Sequence, residues 1–190
     1  MWLTWEGVVL EDRTVHCCSL KPGHTEALLS SVAELGDQLN SFYPKAGTVR
    51  PALLAEGLAD QLTAHLCRNM PGVVTDDKDH HPSLQNRRLL ILMPESHPFV
   101  SLAREDNPRA HWGVAVPGRF SVAWVNNKYL WWHETLHLFN AKDCYNKFGI
   151  NKCREPRCVM QASPTEEACE GRLYLCSKNV HRLSQPPSFS

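Results

Sequence analysis

The stretch that decides the fold is residues 131–145, "WWHETLHLFNAKDCY". It places two histidines, His133 and His137, four residues apart, with Glu134 directly after the first. Residues four apart share one face of an α-helix, so the two imidazoles can bind one tetrahedral metal ion. Glu134 lies about 100° further round the helix, beside such an ion and outside its ligand set. Two core histidines hydrogen-bonded to the backbone are the alternative that this pattern leaves open.

A catalytic zinc ion takes three protein ligands and keeps one position open. Asp143 follows His137 by six residues and can be the third ligand once the helix ends and the chain reverses. Such a reversal favours a residue at positive φ, glycine first and asparagine second, and Asn140 occupies this place. We therefore expect His133, His137 and Asp143 to bind Zn²⁺. The competing possibility is a glutamate from a later segment; the candidates are Glu155, Glu166, Glu167 and Glu170.

These residue types predict amide hydrolysis. Zinc lowers the pKa of its bound water to about 7, and Glu134 can take the proton as general base and later give it to the leaving amine. We therefore expect a zinc-dependent endopeptidase whose partner is a peptide or protein substrate. The alternatives are a zinc hydrolase of a non-peptide amide and a non-catalytic zinc-binding module that recognises a peptide. Glu134 discriminates against the second alternative, because a purely structural zinc site has no use for a carboxylate beside an open position.

The pattern His-Glu-x-x-His-x-x-Asn-x-x-Asp resembles the motif of the metzincin-type zinc peptidases, His-Glu-x-x-His-x-x-Gly-x-x-His followed by a methionine turn beneath the metal. An aspartate as third ligand is similar to the snapalysin-like branch, where a tyrosine also follows two residues later, here Tyr145. Residues 153–161, "CREPRCVMQ", resemble the Cys-x-x-x-x-Cys-x-Met of the archaemetzincins. The resemblance spans residues 111–176 and implies a zincin-like fold in which Met160 supplies the methionine turn.

The same resemblance extends to the strands before the histidine segment. Residues 111–125, "HWGVAVPGRFSVAWV", look like the strand pair that precedes the active-site helix in this group. Pro117-Gly118 lies between the two apolar runs and is a dipeptide that a tight turn favours. It implies that Gly113 to Val116 form an edge strand along which an extended peptide substrate pairs. Tyr145 either donates a hydrogen bond to the oxyanion or packs beside the metal loop. Trp131 and Trp132 are expected in the core.

The chain has eight cysteines, five of them within the last 47 residues. Four thiolates can close a tetrahedral structural zinc site, and the candidates are Cys153, Cys158, Cys169 and Cys176. Disulfides to the loop between Cys144 and Cys158 are the alternative. Disulfides would indicate an oxidising compartment, and thiols or metal ligands a reducing one. The N-terminal segment lacks the features of a secretory signal, which favours a cytoplasmic location.

Composition narrows the classes of partner. With 190 residues and 43% hydrophobic residues, the chain has the length and core of one domain, expected over residues 1–184 with a disordered tail over 185–190. Twenty basic residues balance twenty acidic ones and no block of like charge occurs, which argues against nucleic acid or an anionic membrane as partner. The longest apolar run is far too short to span a bilayer. Nothing in the sequence indicates an oligomeric state.

Apolar periodicity predicts the remaining elements. Residues 24–44 read as an amphipathic helix capped by Thr25, and residues 50–72 as a second one with Pro51 in its first turn. Residues 73–87 form a polar loop in which His80, His81 and nearby aspartates could hold a cation. "RLLILM", residues 88–93, is a buried strand, Asn126 or Asn127 can cap the histidine helix, and a closing helix runs from about 164 to 182. Together these elements predict an α+β fold with a small mixed sheet.

Overall fold

The computed structural model describes residues 3–5, 8–10, 13–55, 57–58, 60–61, 64, 88–107, 112–145, 152–162 and 164–185. The elements in chain order are β1 (Leu3–Trp5), β2 (Val8–Leu10), β3 (Thr14–Ser19), α1 (Thr25–Phe42), a short 3-10 helix (Pro44–Ala46), β4 (Arg50–Leu53), β5 (Arg88–Leu92), α2 (Pro98–Asp106), β6 (Gly113–Val116), β7 (Phe120–Ala123), α3 (Lys128–His137), α4 (Glu166–Cys169) and α5 (Ser177–Leu183). This is the α+β fold that the sequence predicted. In the described part of the chain, no helix has the length and apolarity needed to cross a membrane.

Five strands form one mixed sheet in the order β4-β3-β5-β7-β6. The first four pair in parallel, and β6 pairs antiparallel with β7 at the edge. Strands β1 and β2 form a separate antiparallel pair. The predicted hairpin around Pro117 is therefore confirmed, and β7 leads from the sheet directly into α3. The sheet thus brings its antiparallel edge next to the histidine helix.

Strand β5 lies in the middle of the sheet and is buried on both faces. Leu90 and Leu92 belong to the cluster that includes α1 and α3, while Leu89 and Ile91 belong to the cluster on the α2 side. Alternate side chains of a strand point to opposite faces, so burial on both faces accounts for the continuous apolar run. Helix α3 is equally enclosed, with its residues buried from Tyr129 to Leu136.

Helix α1 follows the prediction apart from its ends. It buries Leu28, Val32, Leu35 and Leu39, which recur at helical spacing. Thr25 is the first helical residue, and the N-cap is His24, which makes no capping hydrogen bond through its side chain. The prediction that Thr25 caps this helix was therefore wrong by one position.

The predicted second helix starts later than Pro51. Residues Arg50–Leu53 form the edge strand β4, which pairs in parallel with β3. An edge strand tolerates proline because one row of its backbone groups needs no partner in the sheet. Residues 57, 58, 60, 61 and 64 are helical, and Leu54 is buried as expected. The rest of the predicted leucine face, and the loop over 73–87 with His80 and His81, lie outside the described residues.

The closing helix is broken in two, contrary to prediction. After α4, Glu170 and Gly171 adopt φ of 51° and 71°, which an α-helix does not allow. The next backbone amides are bonded to other elements: Leu173 N donates to Gln38 Oε1 at 2.6 Å, and Leu175 N donates to the Tyr43 hydroxyl at 3.0 Å. These contacts bind the segment before α5 to Gln38 on α1 and to Tyr43 directly after it, and no local pattern predicts them.

Candidate metal centres

The local structure of α3 brings the two histidines to one place. Asn127 caps the helix, because its Oδ1 accepts hydrogen bonds from Tyr129 N at 2.9 Å and Leu130 N at 3.4 Å. The last helical residue is His137, and Asn140 then adopts a φ of 71°. The left-handed asparagine turns the chain back toward the helix, as its position in the sequence predicted.

Three ligand atoms converge at the end of this turn. The Nε2 atoms of His133 and His137 lie 3.0 Å apart, and each lies 3.2 Å from Oδ1 of Asp143. A tetrahedral zinc ion with bonds of about 2.0–2.2 Å separates its ligands by roughly 3.3–3.6 Å, only slightly more than these distances. The structure therefore brings together the three residues that the spacing selected.

The tautomers of the two imidazoles follow from their outer contacts. His133 Nδ1 lies 2.9 Å from the carbonyl oxygen of Val159, and His137 Nδ1 lies 2.9 Å from that of Ala141. A carbonyl only accepts hydrogen bonds, so each Nδ1 carries a proton and, in a neutral ring, Nε2 keeps a free lone pair. Two lone pairs and a carboxylate oxygen then face one another, and either a shared proton or a metal cation between them relieves their repulsion. These histidines are bonded to the backbone, as the core-histidine alternative proposed, but their other nitrogens also form a ligand set.

The charges of the group suit a divalent cation. Burial alone would raise the pKa of Asp143, but the hydrogen bonds from His133 and His137 outweigh it and hold this pKa well below its usual range. Burial would lower the pKa of His137, but the Asp143 carboxylate and the charge of Glu134 outweigh it and raise this pKa. Asp143 is therefore a carboxylate at neutral pH.

Glu134 lies beside this group and outside it. Its side chain is buried, and Ser121 Oγ donates a hydrogen bond of 2.6 Å to its Oε2. A Cβ atom at Gly113 would come within 2.2 Å of its Oε1, so glycine leaves the space for this carboxylate. Sequence reasoning missed both contacts. A serine inside an otherwise apolar strand, "FSVA", was the available signal for Ser121.

Tyr145 and Met160 complete the surroundings of the histidines. Burial and the neighbouring Asp143 raise the pKa of the Tyr145 phenol, which shares a hydrogen bond with that carboxylate. Its ring stacks beside His133 with 6.4 Å between centroids. Met160 is fully buried and directly follows Val159, whose carbonyl oxygen fixes His133. Its own carbonyl oxygen accepts a hydrogen bond of 2.7 Å from Cys144 N, and its role as the methionine turn stays a prediction.

The rival glutamates make other contacts. Glu155 and Glu170 both form ion pairs with Arg157, at 3.2 Å and 3.4 Å. Glu166 and Glu167 are exposed on α4. Within the described residues, Asp143 is the carboxylate grouped with the histidine pair.

A second group of ligand atoms consists of Cys144, Cys153, Cys158 and Cys176, which we call the cysteine cluster. Its sulfur atoms all lie within 4.8 Å of one another, and Cys144 Sγ lies 3.6 Å from that of Cys158 and 3.5 Å from that of Cys176. Zinc–sulfur bonds of about 2.3 Å separate tetrahedral ligands by roughly 3.8 Å, so this set also fits a zinc ion. No cysteine in the described ranges forms a disulfide.

The cysteine cluster differs in one residue from the four cysteines predicted to bind a structural zinc ion. Cys169 points elsewhere, with its Sγ 3.7 Å from the carbonyl oxygen of Arg157, and Cys144 takes its place. The prediction placed Cys169 and Cys176 on one continuous helix, but the break after Cys169 separates them. Hydrogen bonds from Cys144 and the backbone outweigh burial and lower the pKa of Cys158 to about 6. The lowered pKa favours the thiolate form of Cys158, which is the form that binds zinc.

Basic side chains surround the cluster. A cleft of about 380 Å³ opens beside it and is lined in part by Lys142, Lys152, Lys178 and Arg182. Four thiolates around a zinc ion carry a net charge of about −2, which nearby cations stabilise. The same cleft reaches Asp143, so the two candidate centres are neighbours.

Comparison with known proteins gives one distant structural similarity. No protein-family model matches the sequence, and no curated protein matches it. Among solved structures, a crystal structure of archaemetzincin from Methanopyrus kandleri is similar, with 17% sequence identity, a TM-score of 0.43, and coverage of 90% of this chain and 93% of that one. The assignment of the site therefore depends on the side chains described above. The edge strand, the histidine helix, the left-handed turn at Asn140 and the two candidate metal centres agree with the resemblance to metzincin-type peptidases that the sequence motifs suggested.

Proposed function

We propose that this protein is a zinc-dependent endopeptidase. One observation carries the proposal: three ligand atoms with free lone pairs converge within 3.2 Å, and a buried carboxylate outside the set stands next to them. Two imidazoles and one carboxylate are a typical ligand set of catalytic zinc, which leaves the fourth position to water or substrate. A zinc ion held there supplies Lewis acidity and makes an attacking water more acidic.

Glu134 is the proposed general base. Its Oε2 is held by Ser121 at 2.6 Å, and its charge contributes to the raised pKa values of His137 and Tyr145, so the carboxylate lies close to both. In this position it takes a proton from the attacking water and passes it to the leaving amine. A site that only holds a structural metal ion needs no buried carboxylate beside it, which favours hydrolysis over the zinc-binding module.

Strand β6 supports a peptide as the substrate. It is the last strand of the sheet and pairs with β7 on one side, and among the described residues no strand pairs with its other edge, where a peptide could add one. Gly113, the first residue of β6, lies directly against the Glu134 carboxylate. An extended peptide that pairs with this edge would therefore pass the proposed base. Backbone pairing of this kind recognises an extended peptide, whereas a small amide has no strand that could pair with this edge.

The test is cleavage of a mixed peptide library by the zinc-loaded protein, read by mass spectrometry. We expect internal cleavages that stop with a chelator and that fall by roughly 10²–10⁴-fold in Glu134→Gln, the usual contribution of a general base. Zinc content of this variant should equal that of the parent. Glu167→Gln, on the exposed face of α4, is the matched control and should cleave normally.

Equal cleavage by Glu134→Gln and the parent would remove the proposed mechanism. Cleavage of small amides with no peptide cleaved would assign the protein to the non-peptide hydrolases. Normal zinc binding with no hydrolysis of either kind would leave the zinc-binding module as the function.

A further inference from the structure

The loop that carries Asp143 is held by a residue on α5. Asn179 is fully buried, and its side-chain amide makes two hydrogen bonds to the backbone of Lys142. Lys142 N donates to Asn179 Oδ1 at 2.9 Å, and Asn179 Nδ2 donates to the Lys142 carbonyl oxygen at 2.9 Å. The paired bonds fix both the position and the rotation of the residue that precedes Asp143.

The same amide also reaches the other side of Asp143. Asn179 Nδ2 lies 3.5 Å from Cys144 Sγ, so it contacts both neighbours of Asp143 in the chain. Asparagine is a weak helix former, and a buried amide is costly unless its hydrogen bonds are made. Here the hydrogen bonds to Lys142 and Cys144 compensate for the cost of burying this amide.

We propose that Asn179 is a positioning residue that holds Asp143 within reach of the two histidines. The inference rests on the proposed function only in taking Asp143 as a metal ligand. The Asp143 side chain is 41% exposed, so packing alone does not hold it. Its orientation depends on the backbone between Ala141 and Tyr145, where Asn179 clamps the central part.

The alternative role for Asn179 is to stabilise only the cysteine cluster, since it also contacts Cys144. The two roles differ in which metal centre loses affinity when the amide is removed. A positioning role weakens the His-His-Asp centre and spares the cluster. A role in the cluster alone weakens the cysteine centre.

Cobalt separates the two centres by colour without any assay of activity. Cysteine-bound Co²⁺ shows intense sulfur-to-metal charge-transfer bands, whereas a His-His-Asp centre shows only weaker bands of the metal itself. In a Co²⁺ titration of the full metal-stripped chain, Asn179→Ala should weaken binding at the His-His-Asp centre by about 10–100-fold, as for other residues that orient metal ligands. The charge-transfer bands should titrate as in the parent. His181→Gln, an exposed change on the same helix, should alter neither.

A double-mutant cycle tests whether Asn179 acts through Asp143. In an Asp143→Ala background, Asn179→Ala should cause no further loss of cobalt affinity at the remaining histidines. Asn179→Leu is similar in size and serves if the alanine variant folds poorly. It removes both hydrogen bonds to the Lys142 backbone without adding a charge beside Cys144, so it should show the same selective loss.

The proposal would be overturned if Asn179→Ala left cobalt affinity at the His-His-Asp centre unchanged, or if it weakened the cysteine centre alone or both centres equally. An effect of Asn179→Ala that is as large in the Asp143→Ala background as in the parent would also overturn it. Because the readout is metal binding, failure of the endopeptidase proposal would leave these results intact. A selective cobalt defect in a protein that cleaves nothing would defeat only the proposed function.

Discussion

Gly113 and Glu134 share one small space between the edge strand and α3. A Cβ atom on Gly113 would lie 2.2 Å from Glu134 Oε1 and 2.8 Å from the carbonyl oxygen of Val122. Both distances are far below ordinary contact, so the carboxylate occupies its position only because residue 113 has no side chain. Ser121 holds the other oxygen from the neighbouring strand. The proposed base is therefore placed by the sheet as much as by its own helix.

Gly113→Ala should disable the site without removing its ligands. The added methyl group must displace the Glu134 carboxylate or the start of β6, so peptide cleavage should fall by roughly 10²-fold or more, since misplacement of about 1 Å has this effect. The free energy of unfolding should fall by about 1–3 kcal/mol from overpacking. Cleavage rate, zinc content and thermal unfolding are the measurements. Gly57→Ala is the control, because its Cβ meets nothing within 4 Å; equal activity of the two variants would contradict the steric account.

The stability of the metal-free protein should depend on pH through the pair of His137 and Asp143. The raised pKa of His137 contributes stability that is full below its ordinary value of 6.5 and is lost as pH rises through the raised value. The lowered pKa of Asp143 contributes stability that is present above 3.8 and is lost as pH falls through the lowered value. The pair therefore stabilises the metal-free chain most between these two ordinary values.

The stabilisation that zinc adds should instead increase as pH rises, because protons compete with zinc for the imidazoles. We expect the difference in Tm between zinc-loaded and metal-free protein to widen from about pH 5.5 to about pH 8, across the range in which histidine loses its proton. Calorimetry at both pH values measures it. Asp143→Asn removes the partner charge and should flatten the dependence in the metal-free protein. A Tm difference that is the same at both pH values in the parent would show that zinc does not bind through these imidazoles.

The cysteine cluster predicts different effects for two buried cysteines. Cys144→Ser removes a ligand of the cluster and should lower the zinc content from about two per chain to about one, with a loss of several kcal/mol of stability, because binding at a structural site contributes to folding. Cys169→Ser should keep both zinc ions, because Cys169 lies outside the cluster. Elemental analysis and thermal unfolding measure both. If Cys169→Ser loses zinc and Cys144→Ser does not, the set of ligands expected from the sequence is right and the described geometry is wrong.

Local patterns were sufficient for the elements around the histidines. The i, i+4 spacing of His133 and His137 and the tolerance of asparagine for positive φ depend on a few neighbouring residues, so both could be predicted. The strand pair before α3 carried a turn dipeptide between two apolar runs, and it formed as expected. These features share one property: the decisive interactions lie within about one or two turns of chain.

Long-range pairing accounts for the failures. Pro51 was predicted in the first turn of a helix, but its segment pairs with β3 as the edge strand β4. The segment after Cys169 looked helical, but Gln38 and Tyr43, more than 130 residues earlier in the chain, bind its backbone amides. That break removed Cys169 from the cysteine cluster and left Cys144, next to Asp143 in the chain, to complete it.

By itself, the sequence determined the α+β class, the histidine helix, its left-handed ending and the short spacing that lets Asp143 reach the two imidazoles, since local residue patterns govern all four. Only the tertiary structure decided which cysteines meet, that Gly113 and Ser121 frame Glu134, and that Asn179 clamps the loop of Asp143. These contacts join residues far apart in the chain. Their partners are selected by how the sheet and helices pack, which no local pattern records.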